Sequence, residues 1–419
     1  MTAAPVTVEV DAAGRGQELV VLGFGQLLGW GAAFYTFSAT LAPIAAHTGW
    51  SATTMSAGFT AGQLLSAVGG PGVGTLVARR GPRPVFATSA VLLGGGLAAA
   101  ALAPSAPVFA AVLVLIGAAS AGLLLLPAFA AVAAWFPRRR LRGLSYVSTA
   151  AAASALVISP LVGMVVTTLG WRAAYAAAAL VCLAVLAPLY LGALRRPWPA
   201  SAPADQFHER DPDSPRIREV ARRREFWLLS SCLAASALVS NVTILCVVPL
   251  ALEMGLGYPT GIAGVTANGA GAVVGRAVFA PASRAVGHGT LASVVFLLAG
   301  LQTAALGLVG SSAPIVVGLA AIAGLLRGAF TLFQGTFAVA QWGPRHYSIL
   351  NSWVNATAVA AMAVSALLGT WAATALGSYR TLFVVLAVPL ALTGTLLGLG
   401  RNRLLTIPLE SANPRRNSQ

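Results

Sequence analysis

Lysine is absent from this sequence, so all 26 basic residues are arginine, and only 11 acidic residues accompany them. Charged residues make up 9% of the 419-residue chain, against about 25% in a soluble domain. With 57% apolar residues, this shortage of charge excludes a soluble globular protein, and the long apolar runs read as membrane spans. The lack of lysine, with the heavy use of alanine, points to a GC-rich bacterial genome and hence a bacterial cytoplasmic membrane. Cysteine is scarce as well. Cys182, Cys232 and Cys246 each lie inside an apolar run without metal-ligand spacing, so they read as inert small hydrophobes. A phosphate loop, an HExxH motif and a nucleophile with a paired base are all missing. The chain is therefore not expected to be an enzyme or to carry a cofactor or metal. The N-terminus places Glu9, Asp11 and Glu18 ahead of the first apolar run. That is the opposite of a cleaved signal's basic start, and it reads as a retained cytoplasmic tail.

What is present is a series of apolar runs of roughly 20 residues, the length that crosses a bilayer as a helix. Six fall in the first half, at about 19–46, 53–77, 85–103, 107–135, 144–169 and 172–194. Six more fall in the second, at about 226–250, 261–283, 290–310, 314–341, 350–375 and 380–400. The expected fold is thus an all-α membrane protein of twelve transmembrane helices in two six-helix, pseudo-symmetric bundles. A tail over 1–18, bundles over 19–194 and 225–400, a linker over 195–224 and a tail over 401–419 complete the organisation. The linker, RRPWPASAPADQFHERDPDSPRIREVARRR, is rich in proline, aspartate, serine and arginine, and suits a flexible connection.

Arginine placement sets the expected orientation. With both termini inside, only Arg172 and Arg380 fall on the outer side, while Arg276 and Arg327 lie within spans. Such an asymmetry over short loops orients a membrane protein. It also explains the net charge of +15 without a nucleic-acid partner.

The halves are related to each other. LSYVSTAAAASALVISPLVGMVVTTLG at 144–170 aligns without a gap with NSWVNATAVAAMAVSALLGTWAATALG at 351–377, an offset of 207 residues. WFPRRR at 135–140 echoes WGPRHY at 342–347 at the same offset. A six-span duplication lets two similar halves rock about a site between them, which is a transporter's requirement.

Over essentially its whole length the chain resembles the major facilitator superfamily. GTLVARRGPR, from Gly74 through Arg79, Arg80 and Gly81 to Arg83, looks like that superfamily's inner-loop motif between spans 2 and 3, and the resemblance implies an inner gate there. Ala78 stands where the family usually carries aspartate, and the second copy, Ser283 to Gly287, is degenerate. Within the superfamily the closest resemblance is to the monocarboxylate and oxalate–formate carriers. It rests on WFPRRRLRG at 135–143, on Gly170-Trp-Arg172, and on Val274-Gly-Arg276, which resembles the position of their substrate-carboxylate arginine. Ala272 matches the aspartate one turn earlier in the monocarboxylate symporters. The span 4 arginine of drug–proton antiporters has no counterpart in VLIGAASAGLLLLPA at 114–128, and their span 5 motif is reduced to Ser159-Pro160-Leu-Val-Gly163.

The sharpest functional feature is the pair Arg276 and Arg327, buried in GAGAVVGRAVFAPA and AAIAGLLRGAFTLF with no carboxylate in either stretch. A charge near the bilayer midplane costs from about 2.5 to more than 10 kcal/mol and needs a partner or a watery cavity. The substrate itself is expected to supply the anion. Trp30 and Tyr35 in span 1, Tyr146 in span 5, and Asn351 and Asn355 in span 11 are the expected aromatic and polar lining. Trp30, Phe34 and Phe37 recur at helical spacing, which equally describes a packing stripe. With no carboxylate or histidine in the membrane, anion exchange or facilitated diffusion fits better than proton symport. The expected function is carriage of a small organic anion, a mono- or dicarboxylate, across the lipid bilayer by alternating access, by a monomer, with a counter-anion or a substrate-borne proton. The alternative is efflux of an amphipathic drug or secondary metabolite, with the two arginines structural.

Overall fold

A computed structural model describes residues 16–136, 139–195, 197–198, 224–286 and 288–399. Side chains at 141, 224–226, 228–229, 280, 284, 286, 288–289, 292, 332–355 and 397–399 lie outside the description. The terminal tails, Arg138 and nearly all of the linker therefore fall outside the described residues.

Every expected span has its helix. They are α1 (Gln17–Thr48), α2 (Ala52–Arg80), α3 (Pro82–Ala101), α4 (Ala106–Trp135), α5 (Arg140–Leu169) and α6 (Trp171–Ala193) in the first half. The second half holds α7 (Arg224–Glu253), α8 (Gly257–Val286), α9 (His288–Leu308), α10 (Ala313–Thr331), α11 (Ala356–Leu376) and α12 (Tyr379–Leu399). Helical backbone continues from α10 to α11, over Ala313–Leu376. Among the described residues, ten segments are long and apolar enough to cross a membrane. α2 has the length but dilutes its apolar face with ATTMSAGFTAGQ, and the described apolar part of α9 is Ser293–Leu308.

Among the described residues three spans depart from regular helix, α6 with a π-turn at Val181–Leu186 and α1 and α4 as follows. α1 widens into a π-turn at Gly31–Tyr35, where the Thr36 amide and hydroxyl both donate to the Gly31 carbonyl. α4 is interrupted between Ser120 and Leu125. The cause is Pro127, which has no N–H to give the Leu123 carbonyl four residues back. An orphaned carbonyl at membrane depth needs another donor. Gln26, fully buried on α1, supplies it, its Nε2 donating to Leu123 O at 2.8 Å.

The two halves repeat one packing scheme. In the first, Gly62 of α2 lies against Gly117 of α4, and α3 packs on α6. In the second, α8 lies against α10 and α9 on α12. The two arginines expected on the outer side do the same work in each half. Arg172, at the start of α6, donates to Ala103 O at the end of α3, with its guanidinium 4.2 Å from the Trp171 ring centre. Arg380, at the start of α12, donates to Gly307 O and Val309 O at the end of α9. Both satisfy carbonyls that a helix C-terminus leaves free.

The bundles meet through α1 with α7, α2 with α11, and α5 with α8. Among the described residues three hydrogen bonds join them: Ser38 Oγ to Ile244 O, Tyr258 OH to Ala39 O, and the Leu367 amide to Thr60 Oγ1. All lie toward the end bearing the turns at Gly49, Gly170, Gly255 and Gly377, the end expected to face outward. Gly163 of α5 packs on Ile262 of α8 at the same end. Glu253, exposed at the end of α7, accepts from the Ser378 hydroxyl and the Tyr379 amide, tying α7 to the α11–α12 turn.

Candidate functional site

The crossing of α8 and α10 positions both intramembrane arginines. Gly271 and Gly275 on α8, and Gly324 and Gly328 on α10, are spaced four apart, and each faces the backbone of the other helix. A Cβ at Gly275 would stand 2.0 Å from Leu325 O, and one at Gly328 would stand 2.2 Å from Ala272 O. Paired small residues of this kind let helix backbones touch within a membrane. Arg276 follows Gly275 directly, and Arg327 directly precedes Gly328. The crossing therefore places both arginines beside the same close contact of α8 and α10.

Arg276 lies on the face of α8 turned toward the first bundle. Ile262 meets Gly163, and Gly269 meets Ala155 and Leu156 of α5. Arg276 follows a further seven residues, two helical turns, along the same face. Its Nη1 donates to Ala272 O on its own helix at 3.1 Å, while Nε is buried without a partner. Tyr35, on the π-turn of α1, is buried at 3% exposure.

Arg327 turns elsewhere. Its Nε and Nη2 are buried without hydrogen-bond partners. Its side chain lines a recess wholly inside the second bundle, with Ser236, Ser240 and Thr243 of α7, Asn268 of α8, and Gln302 and Thr303 of α9. Asn268 and Gln302 also tie helices together, donating to Ala320 O and Leu319 O of α10. Among the described residues, no acidic side chain lines this recess.

The aromatic residues of α1 divide into two groups. Phe37 stacks on Phe59 of α2 with ring centres 4.3 Å apart, and Phe34 meets the same ring edge-on at 5.6 Å, so both belong to core packing. Trp30 is partly buried, 6.0 Å from the Phe34 ring, and its Nε1 is buried without a partner. The π-turn separates Trp30 from Phe37 by one residue more than a regular helix turn allows, so the apparent stripe is not one continuous face. Tyr146 is 44% exposed and lies over Gly23 of α1. Asn351 and Asn355 belong to the helical run between α10 and α11, but their side chains lie outside the described residues.

The inner-loop motif forms the end of α2 and the turn into α3. Gly74 sits within α2; Arg79, Arg80 and Arg83 are exposed; Gly81 takes φ +77°, a left-handed conformation that favours glycine. A tryptophan from the linker completes this corner. Trp198 donates from Nε1 to Ala78 O at 2.9 Å, lies against Gly81, and meets Trp135 edge-on at 5.8 Å. In the sequence it is one of two aromatic residues, with Phe207, in an otherwise polar, proline-rich run. Gln26 was visible as a polar residue in a span, but its partner depends on the break in α4.

No protein of curated function matches the sequence. Among solved structures, a bacterial homologue of the human lysosomal transporter Spinster, inward-facing and occupied, superposes with TM-score 0.72 at 16% identity, over 94% of this chain and 98% of that one. The same protein in an inward-facing, unoccupied state gives TM-score 0.72 at 15% identity over the same shares. A point variant of the nucleoside transporter NupG gives 0.71 at 11% identity, over 91% of this chain and 98% of that one. These likenesses concern the fold. Residues 21–338 match the family description Major Facilitator Superfamily. With two pseudo-symmetric six-helix bundles and this match over most of its length, the chain belongs to the major facilitator superfamily of membrane transporters, and it is not an enzyme.

Proposed function

We propose that this transporter carries a small organic anion, a mono- or dicarboxylate, across a bacterial cytoplasmic membrane, with both termini in the cytoplasm. One observation carries the reading. Arg276 keeps one and Arg327 two guanidinium nitrogens buried without a hydrogen-bond partner, and no carboxylate bonds to either among the described residues. A carboxylate entering between the bundles meets Arg276 from α8 and the Tyr35 hydroxyl from α1. An arginine fork can bind it through two parallel hydrogen bonds. Arg327, turned into its recess, adds its field from behind rather than a second clamp. Trp30, Tyr146, Asn351 and Asn355 are assigned to the passage wall, and Arg79, Arg80 and Arg83, with Gly74 and Gly81, to the inner gate. Exchange against a second anion, or a proton riding on the acid itself, supplies the coupling.

The bond from Arg276 to Ala272 O favours a second reading, in which the arginines are scaffold and the cargo is an amphipathic drug or metabolite. Counterflow in proteoliposomes separates the two. Exchange of labelled carboxylates by the wild type, abolished in Arg276→Gln, supports the anion reading. Transport of a neutral or cationic amphiphile that survives Arg276→Gln supports the other.

A further inference from the structure

We propose that the recess beside Arg327 is a binding site for a single small inorganic anion such as chloride, distinct from the place of the organic anion between the bundles. The recess lies among α7, α8, α9, α10 and α12, so every wall belongs to the second bundle. Its free volume is about 20 Å³, room for one or two waters or one monatomic ion, at roughly 10–15 Å³ per water. A carboxylic acid with a carbon chain does not fit.

The chemistry of the walls selects for negative charge. Arg327 offers two buried nitrogens, Nε and Nη2, that no group among the described residues accepts. Ser236 and Ser240, one turn apart on α7, bring hydroxyl donors to the same space. The hydroxyls of Thr243 and Thr303 donate to carbonyls of their own helices, Val239 O and Ala299 O, and so do not compete for the guanidinium's charge. Asn268 Oδ1 is also buried without a partner, an acceptor that a water beside the ion would satisfy. Water alone satisfies hydrogen bonds but leaves the charge uncompensated, whereas an anion removes both deficits. It also weakens the repulsion between Arg327 and Arg276, so halide occupancy sets the field that an organic anion meets at Arg276. The site stands apart from the transport reading, since it requires only the second bundle.

The test measures thermal unfolding of the purified full-length protein in chloride, bromide, sulfate and gluconate at constant ionic strength. It adds anomalous diffraction from crystals grown in bromide. Chloride and bromide should stabilise the wild type saturably, while sulfate and gluconate should not. The shift should vanish in Arg327→Gln, persist in Arg276→Gln, and need about tenfold more halide in the Ser236→Ala, Ser240→Ala double variant. Bromide should appear beside the Arg327 guanidinium. Absence of a halide-specific shift, an equal shift in Arg327→Gln, or a recess filled by water alone in bromide crystals would overturn the proposal. Should Arg327→Gln not fold, the serine variant and the bromide position still decide. Failure of carboxylate counterflow would sink the transport reading and leave this result untouched.

Discussion

Arg276 has one hydrogen bond to its own helix and a buried Nε with none, which is poor compensation for a charge inside a membrane. A carboxylate arriving from the passage would complete it, at about 1.5–3 kcal/mol for a charged hydrogen bond. Arg276→Gln is therefore expected to cut carboxylate uptake by roughly ten- to a hundredfold at unchanged expression, since about 1.4 kcal/mol corresponds to tenfold. Uptake assays in vesicles check it. Gln26 illustrates a different dependence at the same scale. It serves a carbonyl that Pro127 leaves orphaned, so Gln26→Ala should lower stability by about 1–3 kcal/mol, the cost of an unsatisfied buried group, as read by thermal unfolding in detergent. The arginines were legible in the sequence because charge within an apolar run stands out. The role of Gln26 was not, because it depends on a proline 101 residues away in the chain, in LLLLPA, a stretch with no polar residue to mark the break.

Between elements, closeness of backbone rather than side-chain chemistry sets the site. α8 and α10 touch through Gly271, Gly275, Gly324 and Gly328, and a methyl group at any of them would meet backbone atoms of the other helix at 1.9–2.2 Å. Gly275→Ala must push the helices apart, and overpacking of this kind costs about 1–3 kcal/mol. The expected outcome is a lower unfolding temperature together with impaired transport, because Arg276 and Arg327 move with the crossing. Unchanged stability would show that the contact is looser than described. Gly81→Ala should likewise destabilise the inner corner, since its φ of +77° is left-handed and Trp198 lies close by. The lengths and ends of the spans followed from apolar runs and glycine turns. The π-turn of α1 did not, since Gly-Ala-Ala-Phe-Tyr reads equally well as regular helix. Trp198 was hidden for a related reason: a proline-rich linker gives no sign that its first residues dock.

Across the whole molecule, a clamp at one end holds the bundles together. Ser38, Ala39, Thr60, Gly163, Tyr258 and Ile262 all take part in contacts between the halves near that end. Alternating access requires this clamp to open. An ideal Cβ at Gly163 would stand 3.4 Å from the Ile262 Cβ, close to the roughly 3.5–4.5 Å of a disulfide. The pair Gly163→Cys, Ile262→Cys should therefore stop transport under oxidation and recover it with a thiol reductant. The native Cys182, Cys232 and Cys246 are buried and should not interfere. Full transport with the cross-link formed would mean that the clamp does not open in the cycle. The repeat at an offset of 207 residues announced the two-bundle architecture, but the capping of α3 and α9 by Arg172 and Arg380 lay in loops whose partners no pattern in the sequence names.

The transport function proposed for this protein depends on whether Arg276 holds an anion. The most direct measurement is the unfolding temperature of the purified protein against a panel of small carboxylates and neutral amphiphiles, wild type beside Arg276→Gln. Binding to the folded state raises apparent stability by mass action. A carboxylate that stabilises the wild type and leaves Arg276→Gln unmoved is the predicted result. Equal stabilisation of both proteins by bulky neutral or cationic compounds, with no response to any carboxylate, would contradict it.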